Sequence, residues 1–232
     1  MRRSVLLVCL IMLFCLTVTV SAQPLNFAQL VEKVEDKLKT IEDFQSTASI
    51  SLVEGERINL SVFSIKASKS LMTTRIEMLE PDVISGQIIL VDQEKNTVRM
   101  YMPVLDQIIV QSLDGANKTG MDLDFTDLSS FFNMQDLGGE IEEVIETDAG
   151  LQYIVVISGL DNQLEFFQEM TDKTGGQQLQ HVWINEEFMP YKIDFYQSEN
   201  YIGTFSLDKF KINVGLTKEE LQDLPNVPEI TF

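Results

Sequence analysis

Cysteine is almost missing from this chain. There are two in 232 residues, Cys9 and Cys15, and both sit in the apolar run near the start. Beyond that run there is no thiol, which excludes a disulfide framework, a thiol nucleophile and a thiolate metal site. Histidine is as scarce. His181 is the one, set among apolar neighbours in QLQHVWIN, and a lone imidazole leaves a zinc site short of ligands. No Gly-x-Ser-x-Gly nucleophile motif is present. The chain also lacks a linker rich in Pro, Gly or Ser and has no low-complexity tract, so nothing marks a second domain.

Positive charge is the other shortage. Lys and Arg number 17 against 36 Asp and Glu, a net charge of −19. Without Arg2 and Arg3 the count is 15 against 36, or −21. Like charge opposes approach to nucleic acid and to anionic membrane surfaces, so neither is an expected partner. Carboxylates are plentiful, with adjacent pairs at Glu142-Glu143, Glu186-Glu187 and Glu219-Glu220. A glycosidase needs two of them facing across a cleft, about 5 to 9.5 Å apart; neighbours in turns read as solvated charge. Asp114, Asp122, Asp124 and Asp127 lack the fixed spacing of an EF-hand loop. The chain reads as no enzyme, with no metal and no cofactor.

What is present begins with MRRSVLLVCLIMLFCLTVTVSA. Basic residues at Arg2 and Arg3, an apolar run from Val5 to Val20 and the small residues Ser21-Ala22 read as a secretory signal peptide over 1–22. The alternative is an uncleaved anchor, for which the run is short against a bilayer span of about 20 residues. Val8 and Phe14 precede the two cysteines where a lipid-attachment signal needs a small residue. About 210 residues then remain, residues 23–232, enough for one domain with a large core.

Phe27, Leu30, Val31, Val34, Leu38 and Ile41 fall at helical spacing, with Asn26 as the N-cap, so a helix is expected from Asn26 to about Glu42. After it the period becomes two. QSTASISLV, INLSVFSIKAS, LMTTRIEML, SGQIILVD, TVRMYMP, QIIVQSL, EIEEVIET, LQYIVVISG, QLEFFQEMT, QLQHVWIN, YKIDFYQ and IGTFSLDKFKINV read as strands. Short turns with Gly, Asn, Asp or Pro join most of them, which predicts an antiparallel meander. The pattern stops from Asp114 to Gly139, where a loop and a short helix ending at Gly138-Gly139 are expected. A helical turn at Thr217 to Leu221 and a Pro-containing tail close the chain.

Four passages resemble the periplasmic lipoprotein-carrier and outer-membrane lipoprotein-sorting proteins, the LolA-like family. They are LVEKVEDKLKTIEDFQSTASISL; IKASKSLMTTRIEML, with Arg75 at the family's Arg position; NTVRMYMPVLDQIIV, with its Tyr101-x-Pro103; and HVWINEEFMPYKIDFYQSENYIGTFSLDKFKINVGL, with Trp183, Pro190 and Asn213. They cover most of the chain in the family's order. The resemblance implies a mainly β fold with helices (α+β). That fold is a single strongly curved antiparallel sheet, a half-barrel of about eleven strands, with a helical lid on its concave face.

The function it implies is an extracytoplasmic, periplasmic carrier secreted across the inner membrane. The carrier binds lipoprotein acyl chains or other lipids between sheet and lid. Membrane release and acceptor proteins are its implied partners, and it acts as a monomer. The alternative on the same fold is an envelope sensor that recognises lipidated or misfolded proteins. The candidate cavity residues are Met72, Ile76, Met78, Ile88, Leu90, Met100, Met102, Ile108, Val110, Phe131, Phe132, Phe166, Val182, Ile184, Ile193 and Phe195. Arg75 is the candidate lid contact. Methionine, unbranched and polarizable, suits a surface that must fit varied alkyl chains. The same residues also suit a plain sandwich core, and the first helix suits either a lid or a fixed core element.

Overall fold

The computed structural model of the protein describes residues 24–113, 128, 132, 134, 138–158 and 178–231. The segment 1–22, the strand expected at 163–171 and most of the loop and helix expected over 114–137 lie outside these residues, and Phe131 and Phe166 with them. The helix α1 spans Phe27–Lys39. It starts where the sequence places it. The Asn26 side chain accepts from the Gln29 N–H, and the Gln29 side chain accepts from the Asn26 N–H. This reciprocal box satisfies two of the free donors at the helix start. The helix stops at Thr40, two residues short of the expected end.

The strands are β1 (Asp43–Glu54), β2 (Arg57–Ser68), β3 (Thr73–Glu80), β4 (Ile88–Asp92), β5 (Thr97–Met102) and β6 (Gln107–Ser112). They continue with β7 (Gly138–Thr147), β8 (Gly150–Ser158), β9 (Gln178–Ile184), β10 (Pro190–Gln197) and β11 (Asn200–Ile212). A short helix, α2 (Lys218–Gln222), and a three-residue strand, β12 (Glu229–Thr231), follow. All twelve form one open sheet, ordered β12-β6-β5-β4-β3-β2-β1-β11-β10-β9-β8-β7. Every pairing is antiparallel except β12 on β6. The tail was not expected to pair, because three residues flanked by proline carry no readable period. Gly138 and Gly139, expected to end a helix, open β7 instead. A Cβ on Gly139 would lie 2.6 Å from the Phe27 ring and 2.8 Å from the Val156 carbonyl. Glycine here lets α1 approach the sheet edge closely.

Register assigns the faces. Ile65, Ile76, Ile89, Met100 and Ile109 stand opposite one another across β2 to β6. Lys66, Arg75, Leu90, Arg99 and Val110 form the next row. Side chains alternate along a strand, so the two rows lie on opposite faces. The first row faces α1. Leu30, Val34 and Leu38 of α1 are fully buried. They join one apolar cluster with Phe44, Ile65, Ile76, Val155, Val182, Ile193 and Phe205. Each such side chain stabilises the fold by about 1.5–3 kcal/mol. Leu128, Phe132 and Met134 are buried in the same cluster, and the Phe132 N–H donates to the Leu128 carbonyl at 3.0 Å, as in a helical turn.

The far end of α1 is tied down by polar bonds. Asn213 donates from Nδ2 to the Thr40 carbonyl at 3.0 Å and accepts from the Glu42 N–H at 2.8 Å. Asp43 accepts from the N–H groups of Val214 and Gly215. One asparagine thereby joins the end of the first helix to the end of β11.

Candidate functional site

The face that α1 covers is apolar along its whole breadth, but its packing is uneven. Ile76, Phe132, Val182, Ile184, Ile193 and Phe195, all expected to line a cavity, are at most 4% exposed and belong to the main cluster. Tight packing of that kind leaves little room for a ligand. The half of the face away from α1 differs. Met78, Ile89, Met100, Met102 and Ile109 are half-buried there, on β3, β4, β5 and β6. Ile89 and Ile109 were not among the expected site residues. Each has an isoleucine neighbour that takes the opposite face, so no alternation singled them out.

Four expected cavity residues are not on this face. Ile88, Leu90, Ile108 and Val110 project to the other side, by the same register that turns Met100 inward. Ile88, Leu90 and Ile108 are buried there, beneath the chain's last residues. A strap made of α2 and β12 crosses this outer face. The Ile108 N–H donates to the Pro228 carbonyl at 2.9 Å. Gln222 donates from Nε2 to Asp92 at 3.1 Å, and Arg99 pairs with Glu229. Met72 lies in neither set. It occupies the turn between β2 and β3 at a φ of 45° and is exposed.

Arg75 belongs to the outer face as well. Its guanidinium donates to the carbonyl of Asp223, just past α2, and sits 3.5 Å from the Glu77 carboxylate. Arg75, the expected lid contact, points away from the methionines, and its bond to the Asp223 carbonyl fastens the strap to β3. Arg75→Met is expected to free the strap. Amides of residues 221–231 should then exchange with deuterium at least about tenfold faster, while those of β1 and β11 keep their protection.

Between the strap and the sheet lies an open polar cleft of ≈ 800 Å³, lined by Lys66, Arg75, Glu77, Lys218, Glu219, Glu220, Gln222 and Asp223. Its acids and bases nearly balance. The Thr217 backbone N–H, then its hydroxyl, hydrogen-bond the Glu220 carboxylate and hold its pKa below the usual carboxylate value. This cap is intact above the ordinary glutamate pKa and is lost only as pH falls through the lowered one. Further along the outer face, the buried Asp194 carboxylate accepts from Trp183 Nε1 at 3.0 Å and from the Thr204 hydroxyl, and pairs with Lys192 at 2.8 Å. Lys192 also stands 4.4 Å over the Trp183 ring. The Trp183 and Thr204 bonds tie β10 to β9 and β11, and the Lys192 pair lies within β10.

Among the described residues no helix is long and apolar enough to cross a membrane. No family model matches the sequence, and no curated protein matches it. Solved structures do. An uncharacterised conserved protein from Thermus thermophilus aligns at 12% identity over 88% of this chain and 98% of its own, with a TM-score of 0.54. LprF from Mycobacterium bovis aligns at 10% identity over 82% of this chain and 94% of its own, with a TM-score of 0.52. The LolA superfamily protein NE2245 from Nitrosomonas europaea aligns at 15% identity over 86% and 99%, with a TM-score of 0.40. At these identities the likeness to the Thermus protein and to LprF is one of fold.

Proposed function

We propose that the protein is an extracytoplasmic carrier that holds lipid acyl chains against the inner face of its sheet. The observation that carries this reading is the half-buried apolar row Ile89, Met100 and Ile109, flanked on the same face by Met78 and Met102. These side chains face the same way as the packed core yet keep part of their surface uncovered. An acyl chain laid along them removes apolar area from water at about 0.8 kcal/mol per methylene. Methionine adapts to chains of different length and kink. No covalent step is required, and the role is binding, release and handover.

The rest of the reading follows from this one. Residues 1–22 act as the signal that sends residues 23–232 across the inner membrane to the periplasm. That segment works as a single domain and as a monomer. Its ligand is a lipoprotein acyl chain or a free lipid, received from one membrane-bound partner and passed to an acceptor. The sheet closes around its ligand as a half-barrel. The apolar cluster supports such curvature: it joins strands from β3 to β7 with a single helix. Laid flat, the eight strands from β3 to β7 measure about 34 Å across, and a helix is only about 10–12 Å thick. The moving lid is assigned to the segment around Leu128, Phe132 and Met134, which reaches the same face.

Native mass spectrometry of the purified chain, with extraction and identification of bound lipid, tests the proposal. A co-purifying lipid that a fluorescent fatty acid displaces supports the carrier. Protein that is lipid-free and ignores the probe removes it, and leaves recognition of lipidated or misfolded proteins as the role for this fold.

A further inference from the structure

The exposed large apolar residues are not scattered. Strand order and hairpin connectivity place the β5–β6, β3–β4, β1–β2 and β10–β11 connections on one rim of the sheet, because β6-β5-β4-β3-β2-β1-β11-β10 are consecutive neighbours. Val104 and Leu105 stand in the first of these connections and Val83 in the second. Ile58 and Leu60 stand beside the third, on the outer face of β2. Val104 is 83% exposed, Val83 75% and Ile58 70%, values close to those of a free side chain. Leu79 and Tyr201 add exposed surface at the same rim. Seven of the ten large apolar residues exposed among the described residues thus share one edge of the molecule, which singly scattered surface residues would not do.

The charges on that rim are mostly negative. Residues 55–57, 80–87, 103–106 and 198–200 carry Glu56, Glu80, Asp82, Asp106 and Glu199 against Arg57 alone. The opposite rim is mixed, with Lys69 and Lys95 among its acids. An apolar surface ringed by acid repels an anionic bilayer and complements a cationic apolar one. Spacing narrows the partner further. Each connection spans two strands, so successive apolar tips recur about every 10 Å. A helix presents the same face every seven residues, also about 10 Å.

We propose that this rim is the docking surface for a basic amphipathic helix of a partner protein. The helix lies across the β5–β6, β3–β4 and β1–β2 connections. Its apolar stripe meets Val104, Leu105, Val83 and Ile58, and its flanking Lys and Arg meet Asp106, Asp82, Glu80 and Glu56. Met102 and Met78 border this rim, but the rim's own side chains are different ones, so its test does not depend on lipid binding.

The test uses a fluorescein-labelled amphipathic helical peptide of Leu and Lys, about 18 residues long, and fluorescence anisotropy against the purified protein. The triple variant Val83→Ser/Val104→Ser/Leu105→Ser is expected to weaken binding about tenfold or more, since apolar anchors dominate such interfaces. Asp82→Asn/Asp106→Asn is expected to weaken it severalfold and to flatten its salt dependence. Val214→Ser, on the opposite rim, is expected to change nothing. Equal binding by wild type and triple variant overturns the proposal. So does equal affinity for a Ser and Lys peptide of the same charge, which would make the attraction one of charge alone. Rim-dependent binding to phosphatidylcholine vesicles with no peptide binding also overturns it, in favour of a lipid surface. Both rim variants leave buried residues untouched, and circular dichroism checks that they fold.

Discussion

Met100→Glu is expected to abolish binding of a fluorescent fatty acid and to leave the protein folded. Leu90→Glu is expected to unfold it. The two residues belong to neighbouring strands, and both are apolar. What separates them is the face. Met100 is half-buried in the inner row, where a carboxylate can keep part of its hydration. It would still set a charge in the path of an acyl chain, which offers nothing to pair with it. Leu90 is 1% exposed on the outer face, under the strap. An unpaired carboxylate there costs several kcal/mol, a large part of the whole stability of a domain. Thermal unfolding and probe titration on both variants read the result. A folded Met100→Glu that still binds the probe would remove the inner row as the lipid site. An unfolded Met100→Glu would show that the row is closed core.

The second large effect is expected from α1. Leu38 is fully buried, and Leu38→Ala is expected to cost about 2–5 kcal/mol in urea unfolding, with one cooperative transition. The reason lies in how α1 is held. Its apolar face enters the central cluster at Leu30, Val34 and Leu38. Lys37 pairs with Glu187 at 3.1 Å, and Asn213 ties the residues just past the helix to β11. A lid must open at a cost well below global unfolding, and a helix held in this way opens with the whole domain. Hydrogen exchange gives the check: α1 amides protected as strongly as those of β1 place α1 in the core. Exchange much faster than β1, with a small urea effect, would return α1 to the role of lid. The reading of α1 from its period alone left both roles open, because burial at every third or fourth residue is needed in either case.

Several features were legible before any coordinate. Asn26 and the spacing of Leu30, Val34 and Leu38 specified α1 and its start. These are local signals, since a cap and a 3.6-residue period act within a few residues. Strand existence and hairpin positions were equally local, and Thr217 capped α2 where the sequence placed a helical turn. The candidate site was less legible. A period of two says which residues share a face but never which face it is. In β4 the run Ile88-Ile89-Leu90-Val91 is apolar on both sides, so alternation is absent as well. That sheet region is covered twice, by the core on one side and by the strap on the other.

The assignment therefore waits for contacts between parts of the chain far apart in sequence. Asp223 meets Arg75 across 148 residues, and Pro228 meets Ile108. The sequence alone determined an acidic chain, its two cysteines confined to the first apolar run, built of a few helical elements and a long antiparallel meander, because cap and period are properties of short windows. Only the tertiary structure decided that Leu90 and Ile108 are core while Met100 is not, and that Arg75 holds the strap. Which face a strand buries depends on what the remainder of the chain lays against it.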